Sequence, residues 1–350
     1  MYNYPGNIHI HSNYSDGSGS VEQIAESASA AGLMFVVISD HETLAGLPEE
    51  SIRHGVVILV GVELNRLHSH YLALDLTQLI EPDEDNPQRV IDRVNEAGGF
   101  GFIAHPFEKG SPYLEKGKAY PWKTWPVFRF NGLELWNYTS HWRGRHPSAL
   151  KTLYWFFFNR KAAMDNPPRE LIELWDCYTS AGHRVTAIGS SDAHASIYNL
   201  GFIKIPIFTY RYIFSTLNTY ITLPEKISNN YQTAKRQVVD ALINGHSYLS
   251  FDSLAPGGGF SFYAEDSRDV YFMGSALQYR QGITLHLNAP RKNNSILRLL
   301  KHGRVIRTAE ETSLAFSPGG PGVYRVEVYY KTRFGRPRPW IYSNPIYIVN

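Results

Sequence analysis

Apolar runs recur along the first two thirds of the chain at a pitch that alternates strands with helices. Asn7–His11 alternates in character, so every second side chain falls on one face of a strand. After a Gly/Ser turn, Ser20 to Ala31 carries a helical pattern. Ser20 and Gln23 stand at capping-box spacing, and Gly32 sits where a helix stops. Phe35–Ser39, Val56–Val62, Tyr71–Leu76 and Phe100–Ala104 are continuous apolar runs, as expected of strands covered on both faces. A helix is predicted over Pro87–Ala97, ending at Gly98-Gly99. Gly132–Trp136, Pro168–Ser180, Val185–Gly189 and Gln232–Asn244 continue the series as strand, helix, strand and helix. Strand and helix in alternation predict an α/β fold with a parallel sheet and right-handed crossovers. The rhythm is interrupted at Lys109–Phe130 and Tyr138–Pro168, two long aromatic and basic segments of the kind that carry function.

Beyond Gly245 the pattern changes. Phe260–Ala264, Ile283–Asn288, Leu297–His302, Val323–Tyr330 and Ile341–Val349 are short strand-like runs broken by Gly, Pro and Asn. They predict a small C-terminal β-sandwich. Pro256-Gly257-Gly258-Gly259 lies at the change, and the expected units are residues 1–252 and 253–350.

The chain has 350 residues, 43% of them apolar and 19% charged, enough for a sizeable core. A net charge of +2 provides no strong footprint for nucleic acid. No apolar run approaches the length of about 18 residues that a bilayer requires. The start shows no basic region followed by an apolar core, so a cytoplasmic location is the expectation. The single cysteine, Cys177, rules out an internal disulfide and a Cys-rich zinc site. Any metal must be held by His and carboxylates, a donor set that suits zinc, manganese or iron.

Such donors lie at the ends of the apolar runs. His9 and His11 close the first, with Asp16 five residues on. Asp40-His41 closes the second, Glu63 the third, His105 a later one, and Asp192 with His194 the last. In parallel α/β folds ligands bind at the carboxyl ends of strands. His70 precedes its run and reaches the same place only if the chain doubles back through Asn65–Ser69. His68, two residues earlier, would share its strand face, and the pattern does not separate the two. Six histidines and three carboxylates (Asp16, Glu63, Asp192) exceed what one catalytic zinc uses, which is three protein ligands and an open position. Two or three divalent metal ions are therefore expected, with Glu63 bridging and Asp40 orienting a ligand imidazole. Metals so paired activate a shared water, and a metal-bridging hydroxide acting in hydrolysis is the chemistry expected. Lys109, Lys116, Lys118, Lys123, Arg143 and Arg145 are candidates to clamp an anionic substrate. Trp122, Trp125, Trp136 and Trp142 are candidates for an aromatic wall beside it.

On these residues the chain resembles the polymerase-and-histidinol-phosphatase (PHP) superfamily. His9-x-His11 with Asp16 is similar to its first motif, and Ser39-Asp40-His41-Glu42 to its second. Gly61-x-Glu63 with His70 and Ala104-His105-Pro106 resemble its third group, and Gly189-Ser190-Ser191-Asp192-Ala193-His194 its fourth. The likeness runs over roughly residues 7 to 250. It implies a distorted seven-stranded β/α barrel, two or three metals, and a phosphoesterase as the first expectation. Asp16 stands where several members have His. The segment Trp340–Tyr347, closing the β-domain, resembles the CehA/McbA-like branch, whose members include carbamate and amide-ester hydrolases. That likeness implies a second expectation, hydrolysis of an uncharged carbamate, aryl ester or amide. A non-catalytic metal-binding module is a third, and it would be marked by missing ligands. The expected partner is a small-molecule substrate.

Overall fold

The computed structural model describes residues 1–350 apart from 114, 146–147, 201–202, 207, 291–293 and 334. The side chains of 115, 197–200 and 203–206 also lie outside the description.

The strand Tyr2–Ile10 is longer than the alternation predicts and lies inside a large mixed sheet. It pairs in parallel with Phe35–Ile38, which pairs in parallel with Val56–Val60. Its other edge is antiparallel to Leu217–Leu223, which is antiparallel to Ser247–Phe251. A second, five-stranded sheet runs in the order Val62–Leu64, Tyr71–Leu74, Phe100–Ile103, Gly132–Asn137, Thr186–Ser190. Its last three strands are parallel and its first three antiparallel. The all-parallel expectation therefore fails at two places. The chain doubles back after Glu63, as the placement of His70 required, and it returns antiparallel through 217–251.

Both predicted early helices form, the first for the reasons read from sequence. Val21–Ala30 has Ser20 at its N-cap with the full capping box, and Val21, Ile24, Ala25 and Ala28 face the core. Pro87–Glu96 starts from an Asn86 cap with proline at its first position and buries Val90, Ile91 and Val94. One core gathers side chains from both sheets, Ile8, Phe35, Val37, Leu72, Phe102 and Ile188 among them. Ala234, Val238 and Leu242 of the helix Tyr231–Ile243 belong to the same cluster. No helix among the described residues is long and apolar enough to cross a membrane.

The C-terminal strands do not stand apart from the large sheet. Arg338–Ser343 pairs antiparallel with Ser247–Phe251 and carries the sheet on to Gly322–Tyr330 and Ile346–Val349. A four-stranded antiparallel sheet that includes Ser261–Glu265 and Thr284–Asn288 shares a core with this extension, through Phe262, Leu285 and Leu287 on one side and Leu297, Val326 and Ile341 on the other.

The two sheets meet at the ends that carry the candidate ligands. His11 N donates to Ala193 O (2.9 Å), Ala193 N to His9 O (3.2 Å) and Glu42 N to Glu63 O (3.0 Å).

Candidate metal centre

His9 interrupts its strand. The pairing register with Phe35–Ile38 shifts between Ile8 and Ile10, and His9 takes φ 69°. Such a bulge turns side chains that would share a face toward different directions. Ile8 accordingly packs in the core shared by the two sheets and Ile10 in the neighbouring one. His105 (φ 25°) and Asp192 (φ 52°) also occupy the left-handed side of backbone space. A non-glycine residue pays to be there, and three such residues at one site mark a geometry imposed by the surrounding fold.

Glu63 is the hub. Its Oε2 lies 3.0 Å from His9 Nε2, 3.2 Å from His11 Nε2 and 3.3 Å from His41 Nδ1. Its Oε1 lies 2.7 Å from His70 Nδ1 and 3.3 Å from His105 Nε2. Asp192 Oδ1 stands 3.5 Å from His9 Nε2, 3.4 Å from His11 Nε2 and 3.4 Å from His194 Nδ1. On the outer side, Asp16 reaches His194 Nε2 (3.3 Å), His11 Nδ1 (3.5 Å) and His41 Nε2 (3.7 Å). All nine sequence-predicted donors thus come together in one cluster, although they span residues 9 to 194. Three overlapping groups have donor atoms within 4.8 Å of one another: His11, Asp16, His41 and His194; His9, Glu63 and His105; and His9, His11 and Asp192.

The donor set fits metal ions on two counts. His9 Nε2, His11 Nδ1 and Nε2, His41 Nδ1, His70 Nε2 and His105 Nδ1 are buried without a hydrogen-bond partner. Buried polar atoms are normally paired, and six orphaned imidazole nitrogens in one cluster fit a cationic occupant. The charges tell the same story. Burial pulls His11 and His105 down, yet the carboxylates that stand against the two rings outweigh it and lift both to about 9. Burial would raise Glu63 and Asp192, but the surrounding imidazoles hold both well below the usual carboxylate range. Burial takes His41 down to about 4, so its ring is neutral near pH 7. The site is built to keep carboxylates ionised in a buried setting, where positive charge must answer them.

Two supporting carboxylates escaped the sequence reading. Glu134 Oε1 lies 2.7 Å from His9 Nδ1, while its Oε2 accepts from His105 N (2.8 Å) and Asn137 Nδ2 (3.0 Å). It sits in mid-strand among apolar residues, and a fully buried acid there is the signal that could have exposed it. Glu108 Oε2 stands 3.5 Å from His105 Nδ1, and its Oε1 pairs with Arg143 Nη1 at 3.0 Å. Among the described residues Asp40 pairs with no imidazole. It accepts from Ser12 N (2.8 Å), Ser12 Oγ (2.6 Å) and Ser15 Oγ, fixing the turn that leads to Asp16. His70, not His68, faces the cluster. His68 turns to Ser69 Oγ (3.3 Å) and Glu84 (3.9 Å).

The cluster forms the floor of a cavity of about 810 Å³ whose polar walls include Arg66, Lys118, Tyr120 and Arg143. Of the ten basic and tryptophan residues proposed from sequence to contact substrate, Lys118, Arg143 and Trp142 line it and seven do not. Trp122 and Trp136 are buried in the core, Trp136 against Phe251 and Tyr342. Arg145 pairs with Asp165 on a neighbouring, smaller cavity. Trp142 lines the main cavity as proposed, beside Leu153, Phe156, Phe157 and Phe208, four residues that sequence alone did not single out.

Residues 7–111 match the family model of the PHP domain, a segment holding seven of the nine clustered donors. An uncharacterized protein of Methanocaldococcus jannaschii is 30% identical over 115 residues, 29% of this chain and 66% of that protein. Phosphoribosyl 1,2-cyclic phosphate 1,2-diphosphodiesterase of Eggerthella lenta is 38% identical over 61 residues, 17% of this chain and 23% of that enzyme. The match therefore spans about two thirds of the first relative and about a quarter of the second. Among solved structures, a two-domain protein of Bacteroides vulgatus, described as containing a predicted PHP-like metal-dependent phosphoesterase, aligns over 98% of this chain and 95% of its own. The identity there is 16% and the TM-score 0.45.

Proposed function

We propose that this chain is a metal-dependent hydrolase of phosphate esters, built on a distorted β/α barrel (residues 1–252) with an accessory β-domain (253–350). The observation that carries the reading is Glu63, one buried carboxylate whose two oxygens face five imidazoles. His9, His11, Asp16, His41, Glu63, His70, His105, Asp192 and His194 would hold two or three ions, with Glu63 shared between them. Ions bound there would supply Lewis-acid polarisation of a phosphoryl oxygen and an activated water. The chain's own part is positional. Glu134 fixes the His9 ring through Nδ1, leaving Nε2 turned toward Glu63 and Asp192. Asp40 fixes the turn that carries Asp16. Arg66, Lys118 and Arg143 add positive charge to the wall, where an anionic group would be held by charge-assisted hydrogen bonds. The name of the Eggerthella lenta relative, a diphosphodiesterase, supports phosphoester chemistry.

A second reading has its own support. The apolar wall formed by Trp142, Phe156 and Phe208 suits an uncharged carbamate, aryl ester or amide, and Trp340–Tyr347 supports placement in the CehA/McbA-like branch. The deciding experiment is elemental analysis of the purified protein and of His9→Ala and Asp192→Ala variants. It is followed by turnover of phosphomonoesters and phosphodiesters against 1-naphthyl carbamates and acetates. The expected result is two to three metals per chain, falling in both variants, with phosphoesters preferred. Less than about one metal per chain, unchanged by the substitutions, would refute the hydrolase reading.

A further inference from the structure

The cavity above the cluster is far larger and more apolar than a phosphoryl head group requires. At about 810 Å³ it falls in the upper part of the range of roughly 300–1,000 Å³ that encloses drug-sized ligands. Its polar lining includes the cluster, Arg66, Thr152 and a Lys118–Tyr120–Arg143 group, in which Lys118 Nζ lies 4.8 Å and Arg143 Cζ 5.9 Å from the Tyr120 ring centroid. Trp142, Leu153, Phe156, Phe157, Phe208 and Ile213 contribute an apolar wall. Trp142, Phe156 and Phe208 form a compact aromatic set with centroids 5.1 to 6.2 Å apart, and Phe157 stands against Phe156 at 5.0 Å.

The wall has an inner and an outer part. Trp142, Phe208 and Ile213 are buried, whereas Leu153 and Phe157, one helical turn apart, are 56% and 59% exposed. Large apolar residues that line a cavity and still face water leave free energy unrealised until something apolar covers them. The helix that carries them, Ala149–Phe158, is short, and its first turn starts from a Ser148 cap. Its Leu153, Phe156 and Phe157 recur at the three- and four-residue spacing that puts side chains on one face. That face looks into the same cavity as the cluster, so its occupant is continuous with the reacting group.

We propose that the substrate is an amphiphile: a hydrolysable ester head seated at the Glu63 cluster, joined to an extended apolar portion that lies along Trp142, Phe156 and Phe208 and emerges over Leu153 and Phe157. The inference rests on the hydrolase reading above but not on which ester is cut. The test is calorimetric binding to the metal-loaded protein of two ligand series below their micelle concentrations, n-alkylphosphonates from methyl to decyl and uncharged N-alkylacetamides of the same lengths. Affinity should rise roughly two- to fourfold per added methylene over the first several carbons in both series. Leu153→Ser with Phe157→Ser should flatten that slope at the longer lengths. Phe158→Ser, on the opposite side of the same helix and outside the cavity lining, should leave it as it is. Affinity independent of chain length in both series, or a slope untouched by the Leu153/Phe157 pair, overturns the inference. If only the amides bind, and with a slope, the phosphoesterase reading fails while the apolar path stands. If phosphonates bind without a slope and the amides do not bind, the apolar path fails while the phosphoesterase reading stands.

Discussion

At the scale of single residues, the centre is organised by what each imidazole does with its second nitrogen. His9 is tied through Nδ1 to Glu134, and this bond selects the tautomer that leaves Nε2 a lone pair for a metal. Glu134→Gln replaces a charged acceptor with an amide that can turn its NH₂ toward the ring. It should lower metal affinity by roughly 10–100-fold, read by competition with a chelator, and wild-type affinity in the variant would show that the bond is dispensable. The raised imidazoles make a second prediction. His11 and His105 stand at about 9 in the metal-free fold against an ordinary 6.5, so their contribution to stability is complete below about 6.5 and is lost as pH rises through about 9. Metal needs the neutral rings and should expel those protons. Between pH 6.5 and 9 the Tm of chelator-treated protein should fall while apparent metal affinity climbs. A metal-free Tm that rises over this window contradicts the assignment. Eight of the nine clustered residues were legible in sequence because each lies beside an apolar run, a signal that does not depend on knowing the fold, whereas Asp16 stands in a Ser/Gly turn and was read from its spacing to His11. Glu134 was not legible, because an acid inside an apolar strand run reads in sequence as a solvated position and matters only once the bulge at His9 turns that ring toward it. Trp122 and Trp136 were misplaced because an aromatic residue in a loop or at a strand end reads the same whether it closes a core or walls a cavity.

At the scale of elements, the antiparallel hairpin after Glu63 decides whether His70 joins the cluster. Its turn is held by Asn65, buried at φ 67°, whose Nδ2 donates to Ser69 O (3.0 Å) and whose Oδ1 accepts from Asp83 N (3.0 Å). Asparagine tolerates this backbone region better than most residues and supplies both bonds. Asn65→Ala should cost roughly 2–4 kcal/mol, combining left-handed backbone strain with unsatisfied buried partners. Asn65→Gly should recover only the backbone share, about 1 kcal/mol, and urea unfolding of the two variants separates these contributions. Equal losses would mean that backbone strain plays no part. The sequence supported the hairpin only through the need to turn His70 around. Nothing local reported that Leu217–Leu223 and Ser247–Phe251 would run antiparallel to their neighbours, because a continuous apolar strand looks alike in either direction.

At the scale of the whole molecule, the expected boundary near residue 252 marks a change in composition, while the hydrogen bonding runs straight across it. Ser247–Phe251 pairs with Leu217–Leu223 on one edge and with Arg338–Ser343 on the other, a join between segments almost ninety residues apart that leaves no periodic trace in sequence. A buried ion cluster reinforces the join. Arg325, in the strand Gly322–Tyr330, makes two bonds to Asp176 of the helix Arg169–Ser180 (2.7 and 2.8 Å) and one to Glu327 (2.7 Å), with its guanidinium 5.1 Å from the Trp175 ring centroid. Removing one member of such a cluster is costly because the charges left behind stay buried, whereas the intact cluster need add little. Arg325→Ala should therefore destabilise the chain by about 3–5 kcal/mol in denaturant unfolding. The substitution lies far along the chain from every clustered donor and touches none of them. Metal content per folded chain should therefore remain at the wild-type value, which separates a loss of attachment from damage to the centre. A loss below about 1 kcal/mol would place the pair with exposed surface bridges. The sheet alone would then join the C-terminal strands to the rest.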